Sequence, residues 1–376
     1  MNFKFPVTIA LLLFLTFQLS TTRVDFSVPT YSFGEYLTKI FKERAPNFSF
    51  AVRPAQYTAQ AGNGDSLIFV GDVLLARNIE FLMMQNGAQY PYGGLSFSEF
   101  GKNPKVIGNF ESSIPRQHVP TPIKQIDFST DKKYVPAFRK AGFTHVSLAN
   151  NHSLDFGTAE FSYTVETLEA NGVETFGHQT VLSNQSVEFI ELNEVMVAII
   201  GIHTLHRLPT YSELQEVFKF ASQRSDFQIV YVHWGSEYKM VHNTRQREAA
   251  ERFIDAGADL VVGHHPHVVQ DIQLINDVPV FYSLGNYIFD QYDSVTTQQG
   301  LVLHLDFSEL RSISLLPVSS EQKLSQPAMM SKEKHTQFLL DLAKRSDLAA
   351  RDYILSGFFP LDVPVASSSK MAIMSK

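Results

Sequence analysis

Cysteine is missing altogether from the 376 residues. That excludes disulfides, thiolate metal ligands, a cysteine nucleophile and lipid attachment through a thiol. There is no G-x-S-x-G nucleophile elbow, no phosphate-binding G-x-x-x-x-G-K-[ST] loop and no G-x-G-x-x-G dinucleotide signature. Positive charge is scarce: 31 Lys and Arg stand against 38 Asp and Glu, a formal charge of -7. A general nucleic-acid binder needs a basic face for phosphates, so no nucleic-acid partner is expected. Tryptophan occurs once, at Trp234. What remains is ordinary: 44% hydrophobic and 18% charged residues, a composition that folds and buries a large core.

One short positive stretch, Met1-Asn2-Phe3-Lys4, precedes an apolar run from Phe5 to Leu19. This reads as a secretory signal peptide over residues 1–22, or as an uncleaved N-terminal anchor. The expected location is therefore exported, either periplasmic or extracellular, or anchored to the membrane by that segment. Residues 23–65 show no sustained period and read as an N-terminal extension. Periodic order starts at Ser66. A principal domain is expected over 66–310, followed by a C-terminal helix and tail over 311–376, with an amphipathic helix at 331–354.

Within the principal domain, short β-rich apolar runs at 66–70, 105–107, 144–148, 195–200, 228–232, 260–262, 278–282 and 301–305 predict strands. Helical periodicity at 135–141, 158–171 and 245–256 lies between them. Gly142, Gly172 and Gly257 stand where a helix C-terminus wants a left-handed residue. Repeated alternation of strand, helix and glycine argues for an α/β architecture.

The histidines give the chemistry. His152, His233, His265 and His267 each follow a predicted strand, and Asp72 and the Asn109/Glu111 pair hold the same kind of position. In open α/β sheets the ligand crevice lies beyond the carboxyl ends of the strands, and imidazoles and carboxylates gathered there suit a metal. In His265-Pro266-His267, residues two apart on an extended segment would point the same way, whereas His264 would turn aside. His233 offers a further imidazole, with Glu237 as ligand or support. Asn151 offers a carbonyl oxygen, and His152 beside it a ligand or proton donor. Arg77 suits an anionic substrate group. Competing local roles exist for several of these: an Asp72 helix cap, turn chemistry around Asn150, and a plain tight turn at Gly285-Asn286-Tyr287.

The succession Gly71-Asp72-Val73-Leu74-Leu75-Ala76-Arg77, Asn109-Phe110-Glu111-Ser112, Ala149-Asn150-Asn151-His152, His233-Trp234-Gly235-Ser236-Glu237, Gly263-His264-His265-Pro266-His267 and Ser283-Leu284-Gly285-Asn286-Tyr287 closely resembles the capsule-synthesis CapA family, associated with poly-γ-glutamate. That family is similar in turn to the calcineurin-like metallophosphoesterases. The resemblance covers roughly residues 66–307. It implies a four-layer α/β/β/α sandwich of metallophosphoesterase type, with Asp72, Glu111, Asn151, His233, His265 and His267 as metal ligands. It also places His152 near the substrate. If the protein is a hydrolase, His152 is a candidate catalytic acid and Arg77 a catalytic clamp for an anionic group, with Arg77, Asn150 and Asn286 as candidate substrate-binding residues. The sequence departs from the wider phosphoesterase pattern twice. Leu74 stands where an Asp-x-His histidine would be, and Gly108-Asn109-Phe110-Glu111 replaces a Gly-Asp-x-x-Asp motif. One or two divalent ions are therefore both compatible, and an all-N/O ligand set fits Mn, Fe or Zn.

The resulting expectation is an exported, metal-dependent, hydrolase-like protein for biosynthesis or processing of an anionic extracellular polymer such as poly-γ-glutamate. Its partners would be that polymer or a phosphoester substrate, and a membrane synthase complex. The alternatives are a phosphodiesterase or phosphomonoesterase acting on a surface lipid or nucleotide, and a non-catalytic assembly subunit of the synthase.

Overall fold

The computed structural model describes residues 66–361, apart from 102, 123–124 and 309–310. The predicted signal segment, the extension and the end of the tail lie outside the described residues. Among the described residues no helix is long and apolar enough to cross a membrane.

Fifteen strands are described: β1 (Ser66–Val73), β2 (Lys105–Phe110), β3 (Phe143–Ser147), β4 (Glu174–Phe176), β5 (Val187–Leu192), β6 (Val195–His203), β7 (Phe227–His233), β8 (Leu260–His264), β9 (Ile272–Ile275), β10 (Val278–Phe281), β11 (Asn286–Ile288), β12 (Gln299–Asp306), β13 (Ser312–Ser319), β14 (Ala328–Met329) and β15 (Phe358–Pro360). The helices are α1 (Arg77–Asn86), α2 (Val135–Lys140), α3 (Thr158–Glu169), α4 (Tyr211–Ser222), α5 (Thr244–Ala256), α6 (Lys332–Arg345) and α7 (Leu348–Ser356). Every predicted strand and each of the three predicted interior helices is present. Gly142, Gly172 and Gly257 have φ of +110°, +75° and +115°, the left-handed stops their positions implied.

The strands form two sheets. The first runs β14-β13-β12-β1-β2-β3-β4, with β11 added beside β1 and β15 beside β13. The second runs β5-β6-β7-β8-β10-β9. In the first sheet β1 to β4 are parallel, while β12 and β13 return antiparallel. In the second, β6, β7, β8 and β10 are parallel.

Side-chain alternation assigns the faces. Leu67 and Phe69 of β1 share a core with Val197 and Ile199 of β6, Ile229 and Tyr231 of β7, and Leu260 and Val262 of β8. Their neighbours Ile68 and Val70 pack instead against Ile79 of α1, Phe138 of α2 and Leu168 of α3. On the far side, Ala198, Ile200, Val230 and Val261 meet Leu214 and Phe218 of α4 and Ala250 and Phe253 of α5. The layers are helix, sheet, sheet, helix, as the resemblance implied.

Two expectations change at the C-terminal end. The strand β13 pairs with β12 over eight residues, so the sheet continues without a break past residue 310. The helix expected at 331–354 is two helices. Ser346 is extended, and Asp347 starts α7 by accepting a hydrogen bond from the Ala350 amide at 2.8 Å, an N-cap that ends the first helix and begins the second. Leu339 and Leu342 of α6 and Ile354 of α7 reach the core between the sheets.

Candidate metal centre

Parallel pairing aligns the chemically active residues in rows. In the first sheet Asp72 of β1 sits opposite Asn109 of β2, which sits opposite Ser147 of β3, just before the Asn150-Asn151-His152 loop. In the second sheet His203, His233 and His264 form one row across β6, β7 and β8. The two rows face each other at the carboxyl ends of their strands, where the spacing argument placed the crevice.

Asp72 and Glu111 are fully buried. The Asp72 carboxylate accepts from Asn109 Nδ2 at 2.8 Å and from the His265 amide at 3.3 Å, with His267 Nδ1 at 3.3 Å and His264 Nδ1 at 3.5 Å. Burial works to raise its pKa, but the His264 and His267 imidazoles outweigh it and hold the carboxyl well below the usual range. Glu111 Oε1 lies 3.7 Å from His267 Nε2 and 3.9 Å from His152 Nε2. Burial pushes the Glu111 carboxyl up to about 8. Burial opposes charge on His267, yet Glu111 and Asp72 lift it to about 9. His265 is pressed down to about 3 and His233 well below its ordinary value, both chiefly by burial. Neutral imidazoles keep a lone pair for a ligand.

Ligand atoms of Glu111, His265 and His267 lie within 4.8 Å of one another, as do those of Asp72, Glu111 and His233. Glu111 belongs to both triads. The Asn151 carbonyl oxygen is 2.7 Å from His233 Nε2, so it converges on the same place. Glu111 Oε1 and His265 Nδ1 are buried without a hydrogen-bond partner. Orphaned buried donors and acceptors are costly, and an all-N/O set of this kind fits a divalent ion. These clusters could bind metal, and all six residues expected as ligands meet there.

The other expected residues have different surroundings. His152 Nδ1 is 3.0 Å from Asp155 Oδ2, which also accepts from the Phe128 amide at 2.7 Å. The imidazole stacks on Phe128 at 3.9 Å between centroids and presents its Nε2 side to Glu111. Arg77 pairs with the buried Asp290, and its guanidinium lies 4.5 Å over Phe128, so its charge is already matched within the chain. Asn150 and Asn286 are held by hydrogen bonds within the protein. Asn150 is fully buried, donating to Asn109 Oδ1 and Phe110 O and accepting from the His152 amide. Asn286 is buried, donating to Gln291 Oε1 and Thr297 O, and its Oδ1 lies 3.0 Å from His267 Nδ1. Both side-chain amides are thus engaged inside the protein, next to His152 and His267. Trp234 is a core residue, donating to Tyr282 O at 2.7 Å.

The extended geometry expected for His265-Pro266-His267 is also corrected: His265 and His267 have φ of +98° and +57°. The loop doubles back, and their rings still meet at 5.7 Å. Positive φ outside glycine costs on the order of 1–3 kcal/mol and persists where the surroundings enforce it, often at functional sites. The His264 ring packs tilted against Tyr231 at 4.1 Å between centroids, and its Nδ1 lies 3.5 Å from Asp72 Oδ1.

Sequence reasoning missed His203. It ends β6 opposite His233, its Nδ1 lies 2.8 Å from the Gln179 carbonyl oxygen, and its buried Nε2 has no partner. Its strand was predicted to stop at residue 200; the signal available was one more His after an apolar run.

Fold and site together define an α/β sandwich protein with a buried nitrogen- and oxygen-donor centre able to hold a divalent ion. The chain belongs to the family described as bacterial capsule synthesis protein PGA_cap, whose family model matches residues 66–291. It is 30% identical over 301 residues to the PGA biosynthesis protein CapA of Bacillus subtilis (strain 168), covering 76% of this chain and 79% of that one. It is 28% identical over 293 residues to the capsule biosynthesis protein CapA of Bacillus anthracis, covering 72% and 71%. Among solved structures, a hypothetical protein from Thermus thermophilus aligns with a TM-score of 0.41 at 16% identity, over 67% of this chain and 97% of that one. That likeness is too loose for any residue role to be read across.

Proposed function

We propose that this protein is an exported, metal-dependent hydrolase of the CapA type, acting on an anionic extracellular polymer of the poly-γ-glutamate kind during its synthesis or processing. Membership of the capsule synthesis family and the names of the Bacillus relatives support the polymer. The N-terminal segment 1–22 supports export. The observation that carries the chemistry is the convergence of Asp72, Glu111, Asn151, His233, His265 and His267 beside a His152 ring held by Asp155.

A divalent ion held by those six residues would supply Lewis acidity toward the scissile amide or phosphoryl oxygen and toward water. The chain's own residues do the rest. Asp155 accepts from His152 Nδ1, so the opposite ring nitrogen is aimed at the centre. Water adds to the scissile carbon and gives up one proton to solvent, the bond to the leaving nitrogen breaks, and His152 Nε2 gives that nitrogen its proton; solvent then reprotonates His152, so one water is consumed in all. Phe128 packs on the ring and keeps bulk water off that face.

The test combines elemental analysis with turnover on the full chain purified without chelator. Wild type should carry stoichiometric metal, and a His265→Ala/His267→Ala variant should lose it. Wild type should cleave γ-glutamyl amides, with His152→Ala reducing kcat by about 100- to 10,000-fold. Turnover of phosphoesters alone would replace the polymer with a surface lipid or nucleotide substrate. Metal-free protein with no turnover would leave a non-catalytic synthase subunit.

A further inference from the structure

A second cluster of metal-ligating side chains lies apart from the centre, where α1 meets the loop following β2. Glu80 is in the first turn of α1, His118 is in the loop, and Asp131 precedes the short 3-10 turn Lys132–Tyr134. One ligand atom from each lies within 4.8 Å of the others. We propose that Glu80, His118 and Asp131 form a separate site for a divalent cation of the zinc type.

The buried carboxylate carries the argument. Glu80 is only 2% exposed; its Oε1 meets His118 Nε2 at 2.8 Å, but its Oε2 is buried with no hydrogen-bond partner. A buried carboxylate oxygen left unmatched is expensive. The ring of His118 is already oriented, because its other nitrogen sits 2.7 Å from Ser129 Oγ. Such a partner on the far ring nitrogen is the usual support of a metal-binding imidazole. Asp131 is occupied by Lys133, through its amide at 3.0 Å and its ammonium at 2.8 Å. The Lys133 side chain is more than half exposed, so water can take the ammonium at little cost.

One imidazole and two carboxylates make a nitrogen- and oxygen-donor set of three that suits zinc. Tetrahedral bonds of about 2.0 Å set ligand atoms about 3.3 Å apart, so the cluster needs small side-chain shifts only. The location gives the ion a purpose. Glu80 lies one helical turn from Arg77, and the loop bearing His118 and Asp131 also bears Phe128, which contacts both Arg77 and His152. An ion there would brace the wall of the main centre without belonging to it.

Equilibrium dialysis of the chelator-stripped full chain against zinc alone tests the site. The His265→Ala/His267→Ala variant should retain one bound equivalent, and adding Glu80→Gln should remove it. Glu80→Gln in the wild-type chain should likewise lower the count by one equivalent, which covers the case in which the first variant does not fold. Zinc should raise the Tm of the His265→Ala/His267→Ala chain, and Glu80→Gln should abolish that rise. Unchanged zinc stoichiometry on adding Glu80→Gln would overturn the proposal and leave a plain Glu80–His118 ion pair. Because the deciding readout is the change in zinc stoichiometry on adding Glu80→Gln, this result is independent of the proposed hydrolase activity.

Discussion

At the scale of single residues, what distinguishes ligands from their supports is how many of their polar atoms are already spent. Asn286 has both donors and its acceptor engaged inside the protein, and the acceptor meets His267 Nδ1. Replacing Asn286 by Ala removes one of the two partners of His267 Nδ1 and leaves Asp72 as the other. Partners of this kind are worth about 10- to 100-fold in metal affinity, so Asn286→Ala should weaken metal binding by that factor while folding persists. Competition against a chelator of known affinity measures it, and unchanged affinity would remove Asn286 from the support of the site. The motifs around Asn150 and Asn286 were legible in the sequence. Their roles were not, because hydrogen-bond saturation depends on partners such as Asn109 and Thr297, 41 and 11 residues away.

At the scale of elements, the centre depends on strands that approach more closely than side chains allow. The pairing of β1 shifts register between Phe69 and Asp72, and the Asp72 amide donates to the Gly285 carbonyl at 2.9 Å. A Cβ on Gly71 would stand 1.9 Å from that carbonyl oxygen, and what it meets is backbone, with no flexible group to yield. Gly71→Ala should therefore cost about 3 kcal/mol, the upper range for overpacking, and displace Asp72 from the centre. Urea denaturation and metal content check the two consequences, and a stable, metal-replete variant would contradict the packing. Elements with a clear period and a glycine stop were readable in advance. The helix α4 was not predicted, although Thr210 and Glu213 form a capping box before it, with an apolar stripe of Leu214, Val217, Phe218 and Ala221. The break between α6 and α7 was missed because the apolar period runs through Ser346 and Asp347, and only the cap of the second helix interrupts it.

For the whole molecule, stability should depend on pH through a carboxylate away from the centre. Burial, with Glu174 and Glu169 nearby, pushes the Glu188 carboxyl from 4.5 up to about 7. Below pH 4.5 the group is protonated in both folded and unfolded chains and contributes no difference. As pH rises toward 7 the unfolded chain ionises first, so folding is progressively penalised, and the penalty is complete above 7. Glu188→Gln should therefore raise Tm at pH 8 and leave it nearly unchanged at pH 4.5. Thermal melts at the two pH values decide this; an equal shift at both would point to packing and not to charge.

The sequence by itself determined the strands, the glycine stops and the residue types of the centre, since these follow from local periodicity and from where His, Asp, Asn and Glu fall after apolar runs. Tertiary structure decided what those residues face. Parallel pairing set Asp72 beside Asn109 and His203 beside His233, and the stacking of two sheets brought the two rows together. It bent His265-Pro266-His267 out of the extended form, matched Arg77 with Asp290 and tied the Asn150 and Asn286 amides to partners inside the protein. Each of those outcomes rests on a contact between segments far apart in the chain, and local spacing carries no record of which segments will meet.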